Sequence, residues 1–203
     1  MTTAFAYPPA AGLPRPHHVR IVSVPDRRCF AIDGEAEPGG AEFQQSMGAL
    51  FRTAYALHFL LRERGLDARI GPSEALWTRR DGSESWAEGS TAFDPTAWRW
   101  TLLLPVPVEA SDDDIASALA IARRKHPSPA LAHLYVMTMR EGVTVEALHV
   151  GPYAAEPETI SKMHRAAMEA GLRPNGPHHE IYLGDPRRTD PQRLRTVLRQ
   201  PVH

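Results

Sequence analysis

Two stretches of the chain run through the same features in the same order. The first reads AIDGEAEPGG, a long helical pattern, then RGLDARIGPSEALW. The second reads LHVGPYAAEP, a helical pattern, then AGLRPNGPHHEIYL. Gly65-Leu66 matches Gly171-Leu172 at an offset of 106, Gly71-Pro72 matches Gly176-Pro177 at 105, and Glu74 matches Glu180 at 106. Upstream, Glu37-Pro38 matches Glu156-Pro157 at 119. The difference is mostly extra helix in the first half, where about eleven residues make three turns and keep the same face inward. Turn residues recur in any chain, but four features in one order point to a duplicated unit. The expectation is an α+β domain: a tandem repeat of two small strand-helix-strand-strand units with pseudo-two-fold symmetry and a central ligand groove.

The proline pattern supports this division. Proline stands at 19 of 203 positions, about double its usual share, and it belongs outside helix interiors. Residues 1–18, rich in proline and small residues, read as a disordered lead-in. Residues 19–203 read as one domain, with halves of about 19–108 and 109–203. Val19 to Val24, Arg28 to Gly34, Glu74 to Thr78, Trp98 to Leu104, Val143 to Val150 and Glu180 to Leu183 have strand patterns. Apolar residues at steps of three and four mark a helix from Ala41 to Arg64, stopped by Gly65. Ser111 with Asp112 to Asp114 caps a helix to Lys125. Pro157 opens a helix through Ala170. Ser83 to Thr96 reads as a loop, and Pro191 to Gln200 as a short basic helix. In that helix Arg193, Arg195 and Arg199, with Arg187 and Arg188 before it, would form a solvated face.

Charge and motifs exclude several functions. The formal charge is −1 with His neutral, which argues against direct nucleic-acid binding, because phosphate recognition needs a basic face. No apolar run approaches the ~20 residues of a membrane span. The lone Cys29 excludes an intramolecular disulfide and a cysteine-cluster metal site, and fits a reducing cytoplasm. There is no P-loop, no Gly-x-Gly-x-x-Gly, no Gly-x-Ser-x-Gly and no His-Glu-x-x-His, so neither a cofactor nor a serine nucleophile is expected. His178-His179-Glu180, with His149 or His164 as a third ligand, invites a zinc reading. Its spacing matches no recognised catalytic site, so no metal is expected.

His149-Val-Gly-Pro-Tyr153, Glu156-Pro157, Lys162-Met163-His164 and above all His179-Glu-Ile-Tyr-Leu-Gly-Asp-Pro-Arg-Arg188 resemble the GyrI-like small-molecule-binding family over about residues 20–202. The chain looks like its stand-alone branch, which has no helix-turn-helix. Some members of that branch open the cyclopropane of DNA-alkylating natural products. The resemblance implies two tandem repeats around an aromatic-lined groove, with an acidic groove residue that would here be Glu180. Within the matching motifs, His179 and Tyr153 join the residues expected to bind ligand. One departure is plain: the branch shows two adjacent tryptophans after its first-half Glu-x-Leu, and this chain has Trp77-Thr78.

The residues suit that chemistry. Glu180 and Tyr182 lie two apart on a strand and share a face. A carboxylate in an apolar cleft attracts a cation, with ring faces adding cation–π contact. Alternatively, desolvation raises its pKa and makes it a general base. Opening a cyclopropane needs a base for water, here Glu180, and a donor for the developing oxyanion, here Tyr55 or Tyr182. Trp77, Trp98 and Trp100 could stack on a flat aromatic substrate or fill the core, and Glu74 would supply the matching carboxylate of the first half. The expected partner is a hydrophobic aromatic small molecule. A non-catalytic drug binder or sensor is the alternative, and a protein partner such as gyrase is suggested by the family name alone.

Overall fold

The structure is a computed structural model that describes residues 12–35, 37–81 and 98–203. The strands are β1 (Val19–Val24), β2 (Arg27–Gly34), β3 (Ser73–Arg79), β4 (Trp98–Pro105), β5 (Tyr135–Met139), β6 (Gly142–Val150), β7 (His178–Tyr182) and β8 (Arg195–Pro201). The helices are α1 (Ala41–Glu63), α2 (Asp112–Lys125) and α3 (Glu156–Glu169). The strands form one antiparallel sheet in the order β1-β6-β8-β7-β3-β4-β2-β5, with β7 and β3 paired at its centre.

That order forces the sheet to bend. β5 is one edge strand and β6 is the neighbour of the other edge, yet only Arg140 and Glu141 separate them in sequence. Two residues reach roughly 10 Å at most, so the two ends must approach. The sheet is a curled half-barrel with three helices.

The helices cover one sheet face. α1 packs Leu50, Ala54, Leu57 and Leu61 on Phe30, Ile32, Trp77, Trp100 and Leu102, and α2 adds Ile115, Ala118 and Ala122 to the same cluster. α3 packs Met163 and Ala167 on Val145, Ala147 and Leu198. The local signals explain the ends. Gly65 and Gly171 adopt φ of 77° and 74° just past α1 and α3, a conformation that glycine takes without strain. Ser111 forms a capping box with Asp114 at the start of α2.

Two sequence expectations are corrected. The basic helix after Pro191 is a short 3-10 turn, Pro191–Arg193, followed by β8. Val197 and Leu198 there are fully buried on opposite sheet faces, an alternation that a helix would not give. Arg199 is buried rather than solvated, paired with Glu146 and Glu141. The second correction is β5, which went unread. It is an edge strand with most of its side chains exposed, so its apolar alternation is weak. Of the expected lead-in, residues 1–11 lie outside the described residues, as does the expected loop from Ser83 to Thr96. Within residues 12–18, Pro14 is buried and Pro16 makes a parallel bridge to Leu148.

Candidate functional site

Alternation along β7 sends its residues to two different environments. Glu180 lies opposite Ala75, and Tyr182 opposite Ser73. Ala75 belongs to the core under α1, so His178, Glu180 and Tyr182 face the helices. His179 lies opposite Leu76 and faces the inside of the half-barrel.

On the helix side, the Tyr182 hydroxyl donates to Glu180 Oε2 at 2.7 Å. His178 Nε2 lies 3.8 Å from Glu180 Oε1. The Trp77 indole N–H faces Glu180 and Tyr182 without completing a hydrogen bond. Tyr153 stands on the 3-10 turn before α3, its ring 5.9 Å from that of Tyr182 at an interplanar angle of 75°, an edge-to-face contact. Glu156, the first residue of α3, is buried with Oε1 unpartnered. Its neighbours include Glu180 and the hydroxyl-bearing Thr196, and Thr196 lies opposite Tyr182 on β8.

Burial sets the charges here. Only 14% of the Glu180 side chain is exposed. Desolvation pushes its carboxyl upward, against the lowering effect of the Tyr182 and Trp77 donors. Desolvation and then the charge of Glu180 push Glu156 well upward. His178 is driven down to about 3 and His164 to about 4 by burial, so both imidazoles are neutral near pH 7. Burial raises Tyr153 to about 12 and Tyr182 upward as well, which keeps both phenols as donors. Among the described residues, no Lys or Arg pairs with Glu156 or Glu180.

On the inner face, charges are matched. Arg27 binds both Glu74 oxygens, at 2.8 and 2.5 Å. His179 bridges Glu74 Oε2 at 2.9 Å and Glu141 Oε1 at 2.8 Å. Arg199 reaches Glu141 at 3.2 Å and Glu146 at 2.7 Å, and Arg20 reaches Glu146 at 2.7 Å. Desolvation would raise Glu74 and Glu141, but Arg27 and His179 at the first, with His179 and Arg199 at the second, hold both down at about 2.

The structure therefore brings together Glu180, Tyr182, Trp77 and Tyr153 from the sequence reading and separates the others. Glu74 and His179 lie on the inner face in an ion network, away from Glu180. The cause is register: Glu74 is adjacent to Ala75, which is the residue opposite Glu180, so the two glutamates point to opposite faces. Trp100 is 1% exposed in the core, with Phe43 edge-on at 5.3 Å. Trp98 is half-buried near the end of β4, with Arg79 5.6 Å above its ring. Tyr55 is 52% exposed. It lies about 150° round α1 from the buried stripe, at 100° per residue. Glu156, His178 and Thr196 escaped the sequence reading as site residues. Glu156-Pro157 stands out in the sequence as a repeat match and a family motif, and His178 only as a possible metal ligand. Among the described residues, no group of three or more His, Cys, Asp or Glu side chains could hold a metal ion.

An antiparallel half-barrel with helices on one face, and with aromatic rings around unpaired carboxyls there, defines a small-molecule-binding domain. Residues 108–203, the second half of the chain, match the GyrI-like small molecule binding domain. Among curated proteins no sequence matches. Among solved structures, an uncharacterized conserved protein from Listeria innocua is 29% identical, with a TM-score of 0.82 over 95% of this chain and 94% of that one. A hydrolase from Listeria innocua is 28% identical, with a TM-score of 0.78 over the same shares. The EcmrR C-terminal domain is 9% identical, with a TM-score of 0.57 over 92% of this chain and 97% of that one, a likeness of fold.

Proposed function

We propose that the protein is a hydrolase of the stand-alone GyrI-like branch that opens the cyclopropane ring of DNA-alkylating aromatic natural products, and so detoxifies them. The observation that carries this reading is Glu180: a largely buried carboxyl with no Lys or Arg paired to it among the described residues, held by Tyr182 and framed by Trp77 and Tyr153. The likeness to a Listeria hydrolase supports the reaction class. Water loses a proton to the Glu180 carboxylate as its oxygen bonds to the ring methylene. The strained C–C bond breaks, and its electron pair flows to the conjugated carbonyl, which becomes a phenol. Tyr182, kept protonated, turns its single O–H from Glu180 to the developing oxyanion as Glu180 takes the proton from water. A base and a donor suffice, so the reaction calls for no cofactor.

The test is to mix purified protein with a spirocyclopropyl-dienone alkylator and follow ring-opened product by chromatography. Many turnovers per protein are expected. Glu180→Gln should lower kcat at least a hundredfold, the usual scale for a lost general base. Normal turnover by that variant would remove Glu180 from the mechanism.

The unpaired carboxyls also favour a second reading, a non-catalytic binder of hydrophobic cations. A ligand recovered unchanged and stoichiometric with protein would favour it. In either case the partner is the small molecule rather than DNA. The buried Cys29 suits a cytoplasmic setting. We also read residues 19–108 and 109–203 as duplicated units. The strand order supports this, because β7-β8-β6-β1 and β3-β4-β2-β5 run outward from the centre in the same sequence of roles.

A further inference from the structure

Four buried glutamates and the partly buried Glu180 divide into two kinds. Glu74, Glu141 and Glu146 each meet an arginine. Glu156 and Glu180 meet none among the described residues. The polar groups beside them on β7 and β8 are the Tyr182 phenol, which donates to Glu180, and the Thr196 hydroxyl, which has no hydrogen-bond partner among the described residues, and the adjacent His178 is neutral. Glu156 follows Tyr153 by three residues, and the Tyr153 ring packs edge-on against Tyr182, the donor to Glu180. Two carboxylates in one such cluster, largely removed from water and with no Lys or Arg paired to either, cannot both stay ionised, because desolvation and mutual repulsion act together. The unpartnered Oε1 of Glu156 is where a proton can reside. We propose that Glu156 is the second carboxyl of the site and shares a single proton with Glu180, so that the pair carries one negative charge.

This inference deepens the hydrolase reading and rests on it for its catalytic meaning. With the proton on Glu156, Glu180 is left ionised as the base. After water gives its proton to Glu180, the pair holds two protons. One leaves to solvent, matching the proton the phenolate takes up, and the site resets. Glu156 is thus a positioning residue that sets the charge and basicity of Glu180. The other titratable groups around the pair are Tyr153, Tyr182, Asp185, His164 and His178, with His179 reaching Glu180 from the opposite face. The tyrosines and the two helix-side imidazoles are neutral near pH 7, and the His179 imidazolium, bound to Glu74 and Glu141 on the opposite face, lowers Glu180 only from across the sheet.

The test needs no substrate. In protein labelled with 13C at the glutamate carboxyls, infrared spectra at pH 7 should show one protonated carboxyl, because the arginine-paired glutamates stay ionised. In Glu156→Gln, that band should vanish at pH 7, and the midpoint of Glu180 should fall by about one pH unit or more, a tenfold loss of proton affinity. The acid limb of kcat for ring opening should move with it. A wild-type spectrum with every glutamate ionised at pH 7 would overturn the proposal whatever the variant does. So would a folded Glu156→Gln protein whose Glu180 midpoint is unmoved. Absence of wild-type turnover with the shared proton present would instead sink only the hydrolase reading.

Discussion

Single residues set the shape of the site's walls. Gly34 lies opposite Trp100 on neighbouring strands, and a Cβ at Gly34 would run into the Trp100 ring. The bare glycine lets the indole lie flat across the strand, which in turn supports Trp77, its opposite number on β3. Gly34→Ala should therefore overpack the core and cost about 1–3 kcal/mol, measured by urea unfolding. An unchanged midpoint would mean that Trp100 has room to move. The tryptophans also show how far residue type alone can be read. All three were candidates for stacking on a ligand, and all three sit on one face. Only their depth separates Trp77, next to Glu180, from Trp100 in the core, and depth is decided by α1 lying over one end of the sheet. Tyr55 failed for a related reason. The period of α1 was legible, but its buried stripe runs through Leu50, Ala54, Leu57 and Leu61, and Tyr55 is on the far side.

At the scale of the strand, one residue of register decides which glutamate belongs to the site. The matching sequence features offer offsets of both 105 and 106. Choosing 106 pairs Glu74 with Glu180. An offset of 105 pairs Ala75 with Glu180, and Glu74 with His179, and keeps each matched residue on its own face. The two strands are readable in the sequence; their phase is not, because glutamate in both favours an offset of 106, which joins residues on opposite faces. The same alternation bears on Thr78. It is exposed and follows Trp77 on β3, so its side chain points to the face opposite Glu180. Thr78→Trp should leave affinity for an aromatic ligand at the Glu180 site within about twofold, whereas Trp77→Ala should weaken it at least tenfold, on the scale of a lost aromatic contact. Isothermal titration with the alkylator's ring-opened product would check both. A tenfold gain from Thr78→Trp would mean that the second ring reaches the groove after all. β8 makes the converse point: a basic, proline-started segment looked helical, and only pairing with β6 and β7 reveals why Arg199 is buried.

Across the whole molecule, the inner ion network ties together the strands that the curl brings near each other. Arg20 on β1, Glu146 on β6, Arg199 on β8, His179 on β7, Glu74 on β3 and Arg27 on β2 connect through Glu141 in the turn between β5 and β6. No local pattern announces such a network, because its members are scattered over most of the chain. His179 is its hinge. Both ring nitrogens face carboxylate oxygens, and ionised carboxylates only accept, so the ring must be an imidazolium. Burial opposes that charge, but Glu141 and Glu74 outweigh it and raise the His179 pKa above its ordinary 6.5. A raised histidine stabilises the fold fully below its unfolded value and loses that contribution as pH climbs through the folded one. The carboxylates act in the opposite sense. Held at about 2, Glu74 and Glu141 contribute above about pH 4.5 and lose their contribution as pH falls toward 2. Neutral His178 and His164 also lose stability below about pH 6.5. Comparing wild type with His179→Gln cancels those other groups. A glutamine cannot donate to both carboxylates as the ring does, so the variant should lose about 3 kcal/mol or more at pH 5.5, the scale for a broken buried pair. The gap between the two proteins should be widest from about pH 4.5 to 6.5 and should narrow steadily above that, as wild type gives up the His179 proton. Urea unfolding of both proteins between pH 5 and 9 measures it. A gap that stays constant over that range would mean that His179 is neutral throughout, with the network held by its arginines alone.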